Sequence, residues 1–102
     1  KLNSEWIAKW EARDRSTLHH PMEALLFRDD ITDRMGEVNC PVLIIHGEAD
    51  QAIPIEAAEA LSQSLSDCRG LLRVPGAAHA PNMTHPEMVN DALDGFLRLM
   101  PR

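Results

Sequence analysis

The chain has 102 residues, 44% of them hydrophobic and 25% charged, and a formal net charge of −6 at pH 7. That length suits one small domain, since about 100 to 150 residues is the commonest domain size. The negative balance repels a phosphate backbone, the ten Lys and Arg residues are scattered, and no apolar run approaches the roughly 18 residues of a membrane span, so neither nucleic acid nor a membrane is an expected partner.

Two cysteines, Cys40 and Cys68, are too few for a disulfide scaffold and point to a reducing compartment, the cytoplasm. Lys1 leads straight into a helical pattern without the n-region and h-region of a signal peptide, so the chain reads as starting inside a longer protein.

In chain order, residues 3–15 (NSEWIAKWEARDR) group Trp6, Ile7 and Trp10 on one side, which predicts an amphipathic helix with Ser4 as N-cap. A second helix is expected at 21–28, with Pro21 in its first turn and Met22, Leu25 and Leu26 on one face. Asp29 and Asp30 precede a short turn or helix that runs through Met35 and stops at Gly36. From Cys40 the character changes. The run VLIIH has strand length and is rich in Val and Ile, the composition of a strand covered on both faces in a parallel sheet.

Ile55, Ala58, Leu61 and Leu65 then recur at helical spacing, predicting a helix at 55–66, and LLRV at 71–74 is a second strand. Both cysteines are expected just before strands, at the sheet edge opposite the chemistry, as structural thiols. Thr84-His85-Pro86-Glu87 fits a capping box for the last helix, with Met83 and Met88 as its hydrophobic staple and His85 as its first residue. That helix carries a wide apolar stripe from Met88 to Met100. Strand, helix, strand, helix is a parallel βαβα unit, and two strands cannot bury two such helices, so the unit is expected to join a larger sheet.

Ligands of parallel α/β sheets gather in the loops after the strands' C-terminal ends. The first such loop, GEADQAIP, carries Glu48 and Asp50; the second, PGAAHAP, carries His79. A carboxylate that accepts a histidine's Nδ1–H fixes its tautomer and stabilises the imidazolium formed when Nε2 takes a proton. Asp50 and His79 lie 29 positions apart, room for one helix and one strand, and the order acid then histidine matches one hydrolase architecture.

Here the residues reach a resemblance. CPVLIIHGEADQAIP and VPGAAHAPNMTHPEMVNDALDGFL resemble the C-terminal part of α/β-hydrolase-fold enzymes, especially the group of esterases, enol-lactonases and bromoperoxidase-like perhydrolases that works without a cofactor. The resemblance implies an α/β fold: a C-terminal βαβα portion of a parallel α/β-hydrolase sheet over residues 39–102, preceded by the end of a helical cap over residues 1–38. It implies that Asp50 is the triad acid and His79 the triad histidine, that neither cofactor nor metal is needed, and that the substrate is a small acyl compound such as an ester or lactone.

The chain departs from that family in lacking both the nucleophile elbow and the oxyanion-hole segment expected near the family's N-terminus. It contains no G-x-S-x-G: Ser4, Ser16, Ser62, Ser64 and Ser66 all lack the flanking glycines of a nucleophile elbow. A His and Asp pair without a nucleophile has nothing to activate. The nucleophile is therefore expected from a missing N-terminal part of the protein or from a partner chain. Otherwise the 102 residues are a non-catalytic module that pairs its sheet edge and apolar faces with another chain.

Other candidates have plainer readings. Asp50 could merely end a strand loop, and Glu48 is a rival acid. His46, inside the strand, reads as a satisfied core histidine. His19-His20 alone has too few ligands for a metal. Trp6 and Trp10 either pack inside the helical region, line an acyl pocket, or lie in a membrane interface.

Overall fold

The computed structural model describes residues 2–101. The chain divides into two compact units, Lys1–Asp30 and Ile31–Arg102.

The first unit holds helix α1 (Leu2–Glu11), a 3-10 turn (Arg15–Leu18) and helix α2 (His19–Leu26). α1 ends four residues before the predicted stop, and Ser4 lies inside it rather than capping it. The cause of the early stop is Asp14. Its Oδ1 accepts the Ser16 amide N–H and the Ser16 hydroxyl, both at 2.9 Å, which starts a new turn in competition with the old one. α2 starts at His19, two residues ahead of prediction, and Pro21 still falls in the first turn, where its missing N–H breaks no helical bond. Every described residue of both helices is exposed.

The second unit opens with a 3-10 turn, Thr32–Glu37, followed by strand β1 (Val42–Gly47), helix α3 (Ile55–Ser64), strand β2 (Cys68–Val74), the four-residue helix α4 (Pro81–Thr84) and helix α5 (Pro86–Arg98). The 3-10 turn runs through Gly36, the residue expected to stop it, and the Gly36 carbonyl accepts a 3.0 Å bond from the Ser66 hydroxyl. β1 and β2 are parallel, with Ile44 beside Leu71 and Gly47 beside Val74. β2 begins three residues before the predicted 71–74. Cys68 is therefore within the strand, opposite Val42, next to a register irregularity between Val42 and Leu43. Cys40 remains ahead of β1, as expected.

The pleat sorts the two faces. Ile45 and Leu72 pack with buried Val74, Ala77 and Val89, so this face lies under α5, which supplies Val89. Arg73 points the other way and pairs with Glu59 of α3, which places Ile44 and His46 on the α3 face. Cover on both faces explains why β1 reads as an unbroken apolar run.

The predicted capping box does not form. The residue before a proline is disfavoured in the α region, and His85, ahead of Pro86, sits at φ −132° and ψ 55°. That break separates α4 from α5. His85 becomes the N-cap position of α5 rather than its first residue, with no side-chain cap. The Thr84 hydroxyl instead bonds the Ala80 carbonyl at 3.3 Å and lies 2.8 Å from His85 Nδ1. The apolar stripe of α5 buries Val89 but leaves Met88, Leu93 and Leu97 exposed.

Candidate active site

The two loops that follow β1 and β2 are stitched together by backbone. The amides of Glu48 and Ala49 donate to the carbonyls of Val74 and Ala77 at 3.0 and 2.9 Å. The second loop turns at Val74-Pro75-Gly76-Ala77, where the Ala77 amide returns to the Val74 carbonyl at 3.3 Å and Gly76 has φ +73°. Proline second and a left-handed glycine third is the composition of a type II turn. Gly47 is needed for the same closeness: a Cβ there would lie 2.2 Å from the Ala78 carbonyl oxygen and 2.3 Å from that of Ala77.

This stitching brings Asp50 to His79. His79 Nδ1 lies 2.9 Å from Asp50 Oδ2, a hydrogen bond in which Nδ1–H donates to the carboxylate. The Asp50 side chain is 5% exposed and that of His79 66%, so the acid is sheltered while the imidazole faces outward. Asp50 Oδ1 accepts the amides of Ala52 at 2.9 Å and Ile53 at 3.0 Å. The Ile53 amide first, then His79, hold the Asp50 carboxyl below its usual range, with Ala52 adding to the effect and burial opposing it. Asp50 is thus a preformed anion with one oxygen fixed by backbone and the other aimed at a ring nitrogen.

Among the candidates, the structure joins Asp50, not Glu48, to His79; the Glu48 side chain is exposed. His46 is satisfied, as read from the strand: Nε2 lies 2.7 Å from the Ile53 carbonyl. The same nitrogen is also 3.6 Å from Asp50 Oδ2, so His46 buttresses the loop that holds the acid, a part the sequence reading did not give it. Gly47 has a part that the sequence alone does not show: it ends β1 against the small pair Ala77-Ala78. Trp6 and Trp10 lie on α1, 40% and 69% exposed. The Trp6 ring stacks under the Lys9 ammonium at 4.9 Å. Trp10 borders a surface hollow with Glu11, Arg13, Arg15 and Leu18.

No family model matches the chain. The bifunctional esterase/perhydrolase of Acinetobacter calcoaceticus is 36% identical over 69 residues, which are 68% of this chain and 25% of that protein. The pimeloyl-[acyl-carrier protein] methyl ester esterase of Aromatoleum aromaticum is 37% identical over 75 residues, 70% of this chain and 30% of that protein. A thermophilic esterase from Thermogutta terrifontis superposes with a TM-score of 0.67 at 33% identity, over 71% of this chain and 26% of that one.

The chain belongs to the α/β-hydrolase fold family.

It spans about a quarter of the length of the curated relatives it matches. Within this α/β-hydrolase portion the parallel pair β1-β2, with α3 and α5 on its faces, is the frame, and Asp50 and His79 stand at the C-terminal ends of its strands. No helix among the described residues is long and apolar enough to cross a membrane.

Proposed function

We propose that this chain supplies the acid, Asp50, and the histidine, His79, of the catalytic triad of a serine hydrolase acting on a carboxylic ester, lactone or similar acyl substrate. The carrying observation is the 2.9 Å contact between His79 Nδ1 and Asp50 Oδ2 at the ends of neighbouring parallel strands. The names of the similar proteins, esterases among them, support the substrate class.

In the complete enzyme a serine hydroxyl from outside these 102 residues attacks the acyl carbon while His79 Nε2 takes its proton. Asp50 holds the imidazolium, and His79 then protonates the departing alkoxide. In the second half His79 draws a proton from water as the water oxygen attacks the acyl-enzyme, then passes it to the serine oxygen as the acyl–oxygen bond breaks and the carboxylic acid leaves. No cofactor or metal takes part in this reaction. Trp6 and Trp10 belong to the first unit, read here as the end of a helical cap. Two free cysteines fit a reducing cytoplasm.

The test is turnover of a carboxylic ester by the intact hydrolase that contains this sequence. Asp50→Asn and His79→Ala should each lower kcat by ~10⁴-fold or more. Full turnover in either variant would overturn the assignment. The 102 residues by themselves should not hydrolyse p-nitrophenyl acetate above the buffer rate.

One observation favours a second reading, in which the chain is a non-catalytic module bound to another chain. Among the described residues the sheet has two strands, and Leu61, Leu93 and Leu97 are 38%, 40% and 63% exposed beside it. Under this reading light scattering finds association that rises with concentration. A well-folded monomer, stable to dilution, counts against it.

A further inference from the structure

We propose that His19, His20 and Glu23, in the first two turns of α2, form a binding site for a divalent transition-metal ion of the zinc class. In sequence His19-His20 is a pair with too few ligands; the helix supplies the third. Glu23 stands four residues after His19 and three after His20, the two spacings that put side chains side by side on a helix surface.

His19 Nε2 lies 3.4 Å from Glu23 Oε1, and His20 Nδ1 lies 3.6 Å from Glu23 Oε2. Those separations exceed the usual hydrogen-bond length, so two imidazole nitrogens and a carboxylate converge without bonding one another. The three ligand atoms all lie within 4.8 Å of one another. Zinc takes nitrogen and oxygen ligands at about 2.0–2.2 Å in a tetrahedron, which sets neighbouring ligand atoms about 3.3–3.6 Å apart. Each imidazole nitrogen stands at about that edge length from one oxygen of the Glu23 carboxylate, His19 Nε2 from Oε1 and His20 Nδ1 from Oε2. Two neutral imidazoles and one carboxylate suit zinc, cobalt, nickel or copper, whereas calcium and magnesium prefer all-oxygen sites.

The side chains are 68%, 91% and 53% exposed, so an ion enters from solvent and keeps water in the remaining position. As plain surface ion pairs the same three groups contribute little. As ligands they clamp the start of α2, an eight-residue helix whose N-cap, Leu18, offers no side-chain hydrogen bond. Helices that short are marginal without outside support.

The experiment is calorimetric titration of the chain with zinc chloride alone, beside His19→Ala, His20→Ala and Glu23→Gln. One equivalent should bind, and each substitution should weaken binding at least about tenfold, because losing a direct ligand costs no less than losing a supporting group. His85→Ala should bind as the unsubstituted chain does. No saturable binding below about 1 mM zinc would overturn the proposal. So would binding that survives the triple substitution. Because alanine favours helix at exposed positions, the variants should fold, and a second reading in the unsubstituted chain removes any dependence on them. Cobalt(II) should give the visible absorption of a tetrahedral or five-coordinate site, and the pale spectrum of the hydrated ion alone would contradict the site.

Discussion

Asp50 divides its two oxygens between two tasks. Oδ1 takes the Ala52 and Ile53 amides and fixes the loop, which leaves Oδ2 for His79. These bonds favour the anion, so the carboxyl titrates below its usual value of 3.8. A depressed folded value gives stability that is present above that point and is lost as the pH falls through the folded value. Asp50→Asn should therefore lose less stability than the unsubstituted chain on acidification below about pH 4, read as urea midpoints across pH. Equal acid sensitivity in both would contradict it.

Gly47 acts at the same scale by absence. A Cβ there meets two carbonyl oxygens at 2.2 and 2.3 Å, so Gly47→Ala must push the loops apart. It should cost about 1–3 kcal/mol in urea unfolding and lower turnover of the intact hydrolase as Asp50 and His79 separate. An unchanged midpoint would mean that the loops yield freely. Asp50 and His79 were legible in the sequence because each stands in a loop after a strand within a family-like stretch. Gly47 and the buttressing side of His46 were not, because each depends on a contact with a segment distant in sequence or across a turn.

At the scale of elements, strand β1 and helix α3 follow directly from apolar run and helical spacing, while the ends of elements do not. Asp14 cut α1 short with bonds to Ser16, and Pro86 forced His85 out of the helix, so local side-chain and proline chemistry overrode longer patterns. One consequence is measurable. Glu87→Ala should change stability by less than about 0.5 kcal/mol, the range of ordinary surface substitutions, whereas a loss near 1 kcal/mol would indicate a working capping box. Burial of α5 rests on Val89, and Val74 beneath it is fully enclosed. Val74→Ala should cost about 2 kcal/mol through lost transfer energy and the cavity left behind, seen as a lower urea midpoint at unchanged slope.

At the scale of the whole molecule, a sheet of two strands with open edges and exposed leucines is consistent with a portion of a larger α/β sheet, and the chain spans about a quarter of the relatives it matches. The sequence points the same way, because it contains no G-x-S-x-G and its helices are too apolar for two strands to cover. What the sequence could not carry is the surroundings of the proposed triad, since a pocket is made by loops that only the fold brings together.

Asp50 holds His79 by Nδ1, which leaves Nε2 free for the base role proposed for it. Long-range proton–nitrogen NMR of the chain, at a pH well above the histidine range, reads that tautomer directly. His79 should carry its proton on Nδ1 with a bare Nε2, and Asp50→Ala should lose this preference. A proton on Nε2 in the unsubstituted chain, or the same tautomer in both, would contradict it.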